Sequence, residues 1–200
     1  MTLVLGLTGG IATGKSTADN FFKKHHIPIV DSDKIAHHIY DPGKQGYNEV
    51  VTEFSSAILD SDKKINRKRL GEIVFHNPQK MQRLDEITHP LIYQEVVNKL
   101  NKYREQAEKI VVFDAPLLYE TGGQRLCDFV LVISLPESLQ LKRLMERNNL
   151  TESQAQARID SQMPLAKKIA KADFVVDNTG TIDELEEKLK EILLKVEAEG

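Results

Sequence analysis

The sequence predicts an α/β fold built on a mostly parallel sheet of about five strands. Short apolar runs recur along the chain, and continuous rather than alternating runs are typical of strands that are buried on both faces. Longer stretches with helical periodicity separate these runs, which is the order that gives a parallel sheet. The 200 residues are enough to build such a core, and the single cysteine excludes an intramolecular disulfide.

Each predicted strand is a run of β-branched and apolar residues. The strands are expected at 3–8, 27–31, 110–114, 129–133 and 174–177. A turn near Gly180 precedes the last predicted helix, at 182–198, in which an apolar stripe includes Leu185 and Leu189. The stripe could pack on the core or on a second copy of the chain, so the sequence leaves the oligomeric state open.

Two stretches do not follow the alternation of strands and helices. Residues from about 41 to 109 show helical patterns only, which indicates a helical subdomain that holds a substrate. Residues from about 146 to 172 are polar, and we expect a pair of helices there that covers a site; we call them the cover segment, or lid. The core then comprises about 1–40, 110–145 and 173–200. Pro90 is expected to break a helix, and Thr151 to begin one through a capping box with Gln154.

Residues 9–16, GGIATGKS, match the complete phosphate-loop pattern G-x-x-x-x-G-K-S. The loop follows a predicted strand and precedes a predicted helix, so its amides and the helix dipole can converge on phosphate oxygens. Lys15 supplies a point charge for the β- and γ-phosphates, and the Ser16 hydroxyl suits Mg²⁺. The residues predicted to bind ATP in this loop are Gly10, Ile11, Ala12, Thr13, Gly14, Lys15, Ser16 and Thr17.

Composition and motifs restrict the class of nucleotide-binding protein. The net charge of −3 argues against binding nucleic acid by bulk positive charge, and no apolar run approaches the ~20 residues that span a bilayer. The guanine-reading motif N-K-x-D is not completed at Asn98-Lys99 or Asn101-Lys102, and 200 residues leave little room for a large mechanical ATPase. We therefore expect a small-molecule kinase in the cytoplasm, with no nucleic-acid or membrane partner.

An acidic pair, Asp31 and Asp33, ends the second predicted strand. Functional groups of open α/β sheets gather at the carboxyl ends of the strands, so we expect this pair beside the phosphate loop. One carboxylate would accept the proton of an attacking hydroxyl, and the other would orient substrate or a metal-bound water. The alternative is that Asp31 or Ser32 caps the following helix. His37, one helical turn after the pair, is predicted to line the same site.

The chain resembles the dephospho-CoA kinase family in motifs that follow the family's order. They are GLTGGIATGKST at 6–17, VDSDKIAH at 30–37, THP at 88–90, DAPLLYE at 114–120, RIDSQMP at 158–164 and ADFVVDN at 172–178. The resemblance therefore extends over nearly the whole chain. Two positions depart from the family pattern: Ser32 stands where Ala is expected, and Asn148 follows Arg147 where Asp is expected, which puts lid geometry in question.

The resemblance implies a P-loop nucleoside-triphosphate hydrolase-like three-layer fold with a five-stranded parallel sheet, a helical CoA-binding subdomain and a helical lid. It also implies a reaction, the transfer of the ATP γ-phosphoryl group to the 3′-hydroxyl of dephospho-CoA in the last step of coenzyme A synthesis. Mg²⁺ would be the cofactor. By the same resemblance, Asp33 is the general base.

Further candidate residues lie after the third strand and in the region of the lid. Asp114 is placed like a carboxylate that holds Mg²⁺ through water, and the alternative is a role in a turn or a cap. Leu117 is predicted to form a wall of the substrate site. Arg143 and Arg147 are four residues apart and share a helix face. We expect Arg147 to neutralise charge in the transition state, Arg143 to contact ATP and Arg158 to belong to the lid, unless they are simply exposed arginines.

Three features have two comparable interpretations. His89 could contact the acceptor, or Pro90 after it could be a structural kink. Asn178 could help to hold the adenine of ATP or could belong to a turn that ends the last strand. The basic run from Lys63 to Arg69 could bind phosphates of the acceptor or could be a solvated helix face.

Two other functions remain open at this point. Another small-molecule or nucleoside kinase of the same fold would differ only in its acceptor pocket. A nucleotide-dependent binding switch would need no general base, which Asp33 argues against.

Overall fold

The computed structural model describes residues 1–199, in which five strands form one sheet in the order β2-β3-β1-β4-β5. β1 pairs in parallel with β3 and with β4, and β4 pairs in parallel with β5. The predicted sheet is thus confirmed, with small shifts at the strand ends. The strands are β1 (Leu3–Gly9), β2 (Ile29–Asp31), β3 (Ile110–Asp114), β4 (Phe129–Ser134) and β5 (Phe174–Asp177).

The helices lie between the strands and in the long connection from β2 to β3. They are α1 (Lys15–Lys24), α2 (Ser32–His38), α3 (Gln45–Phe54), α4 (Arg67–Val74), α5 (Pro78–Glu105), α6 (Glu137–Asn148), α7 (Glu152–Asp160), α8 (Leu165–Ile169) and α9 (Ile182–Ala198). The chain divides into two compact units, a sheet unit of Met1–Val30 with Leu100–Gly200 and a helical unit of Asp31–Lys99.

The main core of the sheet unit lies on one face of the sheet. Alternate residues of β1, Leu3, Leu5 and Leu7, pack there with α1 and α9, because successive side chains of a strand point to opposite faces. Leu185 and Leu189 of the α9 stripe are buried in this core. Since burying such a side chain is worth roughly 1.5–3 kcal/mol, the stripe stabilises its own chain.

The helical unit has a separate apolar core. Side chains from α3, α4 and the first part of α5 form it together with a 3₁₀ turn at Ser56–Ile58. Ile58 is fully buried, and Val50 and Val74 are at most 2% exposed. This stretch therefore buries apolar surface on its own rather than serving only as a crossover.

The expected helix break at Pro90 is wrong, because α5 runs from Pro78 to Glu105 with Pro90 inside it. A proline within a helix removes one backbone donor and costs about 3 kcal/mol, but it does not prevent the turns on either side. The apolar face of α5 offsets that cost, since Leu84 and Ile87 before the proline and Val96 after it are buried.

Helix caps were predictable where the cap is local in sequence. Thr151 and Gln154 form the expected capping box at the start of α7, and Thr181 with Glu184 forms another at the start of α9. Among residues 1–199, none of the helices combines the length and the apolar character needed to cross a membrane.

Candidate active site

The phosphate loop connects the end of β1 at Gly9 with the start of α1 at Lys15. Gly14 has φ of +100°, a left-handed conformation that favours glycine, and a Cβ there would overlap the Asn178 side chain. The Thr13 hydroxyl donates to the Gly10 carbonyl at 2.9 Å, and Asn178 Nδ2 donates to the Thr13 carbonyl at 2.7 Å. The shape of the loop is therefore fixed by buried hydrogen bonds within the sheet unit.

Lys15 faces two carboxylates. Its Nζ lies 2.5 Å from Asp114 Oδ1 and 3.7 Å from Asp19 Oδ2. Burial raises the pKa of Asp114 to about 7; the charge of Lys15 opposes this rise, and the neighbouring Asp19 adds to it. The lysine of the phosphate loop and the carboxylate that ends β3 thus form one nearly buried polar cluster.

The cluster suits a hard divalent cation. Mg²⁺ is usually held by one or two carboxylates together with substrate phosphates, so a cage of three or more protein ligands is not required. Within residues 1–199 no His, Cys, Asp and Glu side chains form such a cage. Asp19 Oδ1 is buried and has no hydrogen-bond partner in this described part of the chain, and Asp114 and Ser16 add further oxygens. The donor set is therefore all oxygen, as Mg²⁺ prefers.

Asn178 and Arg143 belong to the support of the phosphate loop. Asn178 is 7% exposed, and its carbonyl accepts a hydrogen bond from Arg143 Nη2 at 3.2 Å. The side-chain donor of Asn178 is directed to the loop, so the structure places this residue beneath Thr13. Next to it, Asp177 accepts hydrogen bonds from Thr179, which gives the predicted turn at the end of β5.

The two other predicted arginines are exposed. α6 extends to Asn148, so Arg147 lies in its last turn, where Nε donates to Asn148 Oδ1 at 2.9 Å. Arg158 lies on α7, and its carbonyl accepts from the Ser161 hydroxyl at 2.8 Å. Both guanidinium groups are on the surface of the sheet unit rather than in its core.

The cover segment lies against the phosphate loop. Gln162 Oε1 accepts a hydrogen bond from the Ile11 amide at 3.0 Å. A cavity of about 460 Å³ is lined by the loop, the start of α6 and the helices α7 and α8. Its lining includes Gly10, Gln140 and Ile169.

Sequence reasoning missed the residues that join the cover segment to the sheet. Lys168 is fully buried, and its Nζ lies 2.9 Å from Glu120 Oε1. In the sequence Lys168 stands beside Lys167 in a polar helix and looks like another surface lysine. Asp19 could have been found from its position four residues after Lys15, which puts both on one face of α1.

The acidic pair lies at the start of α2. Asp31 is the N-cap, and its Oδ1 accepts from the Lys34 amide at 2.9 Å, so the capping role expected for Asp31 or Ser32 belongs to Asp31. Asp33 is exposed in the first turn. His37 is exposed, and its carbonyl accepts from Arg67 Nη2 at 2.8 Å.

The other candidates lie on exposed surfaces. His89 faces Asp85 at 3.5 Å on α5, and Leu117 is 43% exposed after β3. In the basic run of the helical unit, Arg69 donates to the Leu59 carbonyl at 2.6 Å, and Arg67 also stacks on Tyr40. At least these two arginines thus make contacts within their own unit.

A complete phosphate loop on a parallel sheet, with its lysine against a strand-end carboxylate, is typical of P-loop proteins that bind nucleoside triphosphates. A family model described as dephospho-CoA kinase matches residues 3–184. A dephospho-CoA kinase from Lactobacillus johnsonii is 53% identical, and the match covers 98% of this chain and 99% of that protein. A dephospho-CoA kinase from Lactobacillus acidophilus is 49% identical over the full length of both proteins. The solved structure of a dephospho-CoA kinase from Campylobacter jejuni superposes with a TM-score of 0.77 at 32% identity, and the match covers 99% of this chain and 98% of that chain. The chain belongs to the dephospho-CoA kinase family.

Proposed function

We propose that the chain transfers the γ-phosphoryl group of ATP to the 3′-hydroxyl of dephospho-CoA, giving coenzyme A and ADP. The observation that carries the proposal is the complete phosphate loop at 9–16, held by its own hydrogen bond and by Asn178, in a chain of this family. In the reaction the bond from the acceptor oxygen to the γ-phosphorus forms, and the bond from that phosphorus to the β,γ-bridging oxygen breaks.

The nucleotide would be held by the phosphate loop. Its amides and the start of α1 would bind phosphate oxygens, and Lys15 would exchange Asp114 for the β- and γ-phosphates. Arg143 and Asn178 would bind ATP as well as support the loop, to which Asn178 donates at the Thr13 carbonyl.

Mg²⁺ would be held by Ser16 directly and by Asp114 through water, with Asp19 as a further carboxylate. When bound, it would offset the negative charge of the phosphates. Asp114 would keep Lys15 in place in the absence of nucleotide, because a buried carboxylate beside an ammonium is stabilised only as a pair.

Asp33 would take the proton of the attacking hydroxyl from its place in the first turn of α2. Asp31 fixes the beginning of that helix, since it caps α2. The acceptor would be held by the helical subdomain at about 41–109, with His37, His89 and Leu117 as contact residues. These side chains are exposed, as contacts to a soluble ligand must be before it binds.

The lid at about 146–172 would exclude water, which would otherwise hydrolyse ATP. Arg147 would neutralise the charge that develops on the transferred group, and Arg158 would act in the lid. A cytoplasmic location accords with these soluble substrates.

The test is a panel of acceptors with ATP consumption and product mass as readouts. Turnover with dephospho-CoA and a mass gain of one phosphoryl group are expected; turnover only with a different alcohol would instead indicate another small-molecule kinase. Asp33→Asn should lower kcat by about 10²–10⁴-fold with ATP binding retained. Unchanged phosphoryl transfer in that variant would remove Asp33 as the base.

A further inference from the structure

Lys168 combines full burial with a positive charge. It lies on the short helix α8, and its side chain is 0% exposed. Within residues 1–199, Lys168 and Asp114 are the two charged residues that are buried. Taking an ammonium group out of water costs several kcal/mol, so a buried lysine is stable only with partners for its charge and its donors. The partners of Lys168 therefore indicate what the residue holds in place.

The Lys168 ammonium lies among three oxygens, two of which accept hydrogen bonds from it. Nζ donates to the Pro116 carbonyl at 2.7 Å and to the Gly9 carbonyl at 3.4 Å, and it lies 2.9 Å from Glu120 Oε1. An ammonium has three donors and no acceptor, and all three of these neighbours are oxygens that can face it. The carboxylate of Glu120 balances its charge.

The two carbonyls belong to the two segments that form the phosphate site. Gly9 ends β1 and is the first residue of the phosphate loop. Pro116 lies two residues after Asp114, and its carbonyl also accepts from the Thr8 hydroxyl at 3.1 Å. One ammonium thus ties the start of the loop that carries Lys15 to the segment that carries Asp114.

The same group of contacts reaches the cover segment. Glu120 Oε1 also accepts from the Met163 amide at 2.9 Å. The preceding residue, Gln162, accepts from the Ile11 amide of the phosphate loop. The turn between α7 and α8 is therefore bonded to both segments of the phosphate site.

We propose that Lys168 is a positioning residue for phosphoryl transfer, which holds the phosphate loop, the segment after β3 and the base of the lid in one geometry. The inference rests on the proposed function. Phosphoryl transfer depends on alignment and charge placement more than on covalent chemistry by the protein. Loss of Lys168 should therefore slow the transfer step more than it weakens ATP binding, for which Lys15 and the loop amides remain.

The test compares Lys168→Met with Lys167→Met in the full-length enzyme. Methionine keeps the length and flexibility of the side chain and lacks the charge, and Lys167 is the exposed neighbour on the same helix. Lys168→Met should lower kcat about 100-fold, the effect expected of a misplacement of about 1 Å, while KM for ATP changes by less than about threefold. Lys167→Met should behave as the unaltered enzyme.

A purely structural role for Lys168 must be separated from positioning. Lys168→Met leaves Glu120 without its cation, so the double variant Lys168→Met/Glu120→Gln removes that unbalanced charge. The expected result is a thermal unfolding midpoint that recovers in the double variant while kcat stays low. Two results would overturn the inference. One is that kcat recovers together with the midpoint in the double variant. The other is that Lys168→Met, measured well below its midpoint, has a kcat within about twofold of the control. An unaltered enzyme without activity on dephospho-CoA would instead contradict the proposed function.

Discussion

The residues that support the phosphate loop differ from the other candidate residues in their surroundings. Thr13, Asp114 and Asn178, which we call the loop-supporting residues, are buried and have hydrogen bonds or ion pairs within the sheet unit. The exposed candidates lie at the surfaces of the two units; they are Asp33, His37, His89, Arg147 and Arg158. A loop that must present several amides to phosphates at once benefits from being rigid before ATP binds, because less ordering entropy is then lost on binding. Groups that act on the acceptor or close over it must first admit it.

The comparison separates two kinds of effect that a substitution can have. Changes at the exposed candidates should alter turnover without altering stability, since few protein contacts are lost. Changes at the loop-supporting residues should alter both. Three variants test this separation.

Of these three variants, Arg147→Ala should have the largest effect on activity. The proposed role of Arg147 is to neutralise charge on the transferred group, and removal of such a charge typically lowers kcat by about 10²–10³-fold. The thermal unfolding midpoint should stay unchanged, since Arg147 is exposed and its side chain bonds only the adjacent Asn148 in the described chain. Steady-state kinetics and thermal melts measure both quantities, with Lys142→Ala on the same helix as the control. A midpoint several degrees lower would show that Arg147 stabilises the fold, against the separation drawn above.

Asn178→Ala should combine a moderate loss of stability with weaker ATP binding. The substitution leaves the buried Thr13 carbonyl without its side-chain donor, which costs about 1–3 kcal/mol of unfolding free energy. KM for ATP should rise because the loop loses its support. Urea unfolding and ATP-dependent kinetics are the measurements, with the exposed Asn101→Ala as the control. Normal stability with a raised KM would instead favour a direct contact of Asn178 with the nucleotide.

Asp114→Asn should change how the stability of the protein depends on pH. The pKa of Asp114 is about 7 in the folded chain against 3.8 ordinarily, so the unfolded chain binds fewer protons between these values. Its contribution to stability is therefore present below about pH 4 and is lost as the pH rises toward 7, by at most about 1.4 kcal/mol per pH unit. In thermal melts from pH 5 to 8 without nucleotide, the stability of the variant relative to the unaltered protein should increase as the pH rises. Parallel curves would mean that Asp114 is ionised throughout.

The parts of the fold that were predictable depend on short-range patterns. The five strands follow from continuous apolar runs, the phosphate loop from an eight-residue motif, and the cap at Thr151 from a glutamine three positions later. Pro90 was misjudged because its local cost is offset by the packing of Leu84 and Ile87, which pattern alone does not weigh.

The candidate site was predictable where chemistry is tied to a motif. Lys15, Ser16 and Asp114 were identified from the loop and from the end of a strand, where functional groups of parallel sheets gather. Lys168 and Glu120 were missed because their partners are far away in sequence: the carbonyls of Gly9 and Pro116 lie 159 and 52 residues from Lys168.

By itself, the sequence determined the class of fold, the phosphate loop and the order of the elements, because these follow from periodicity and from motifs a few residues long. Only the tertiary structure decided which polar side chains are buried. It turned Lys168, one of several lysines in a polar stretch, into a fully buried charge, and it placed Asn178 beneath the loop. The physical reason is that burial and pairing of charge depend on segments that meet only when the sheet has formed.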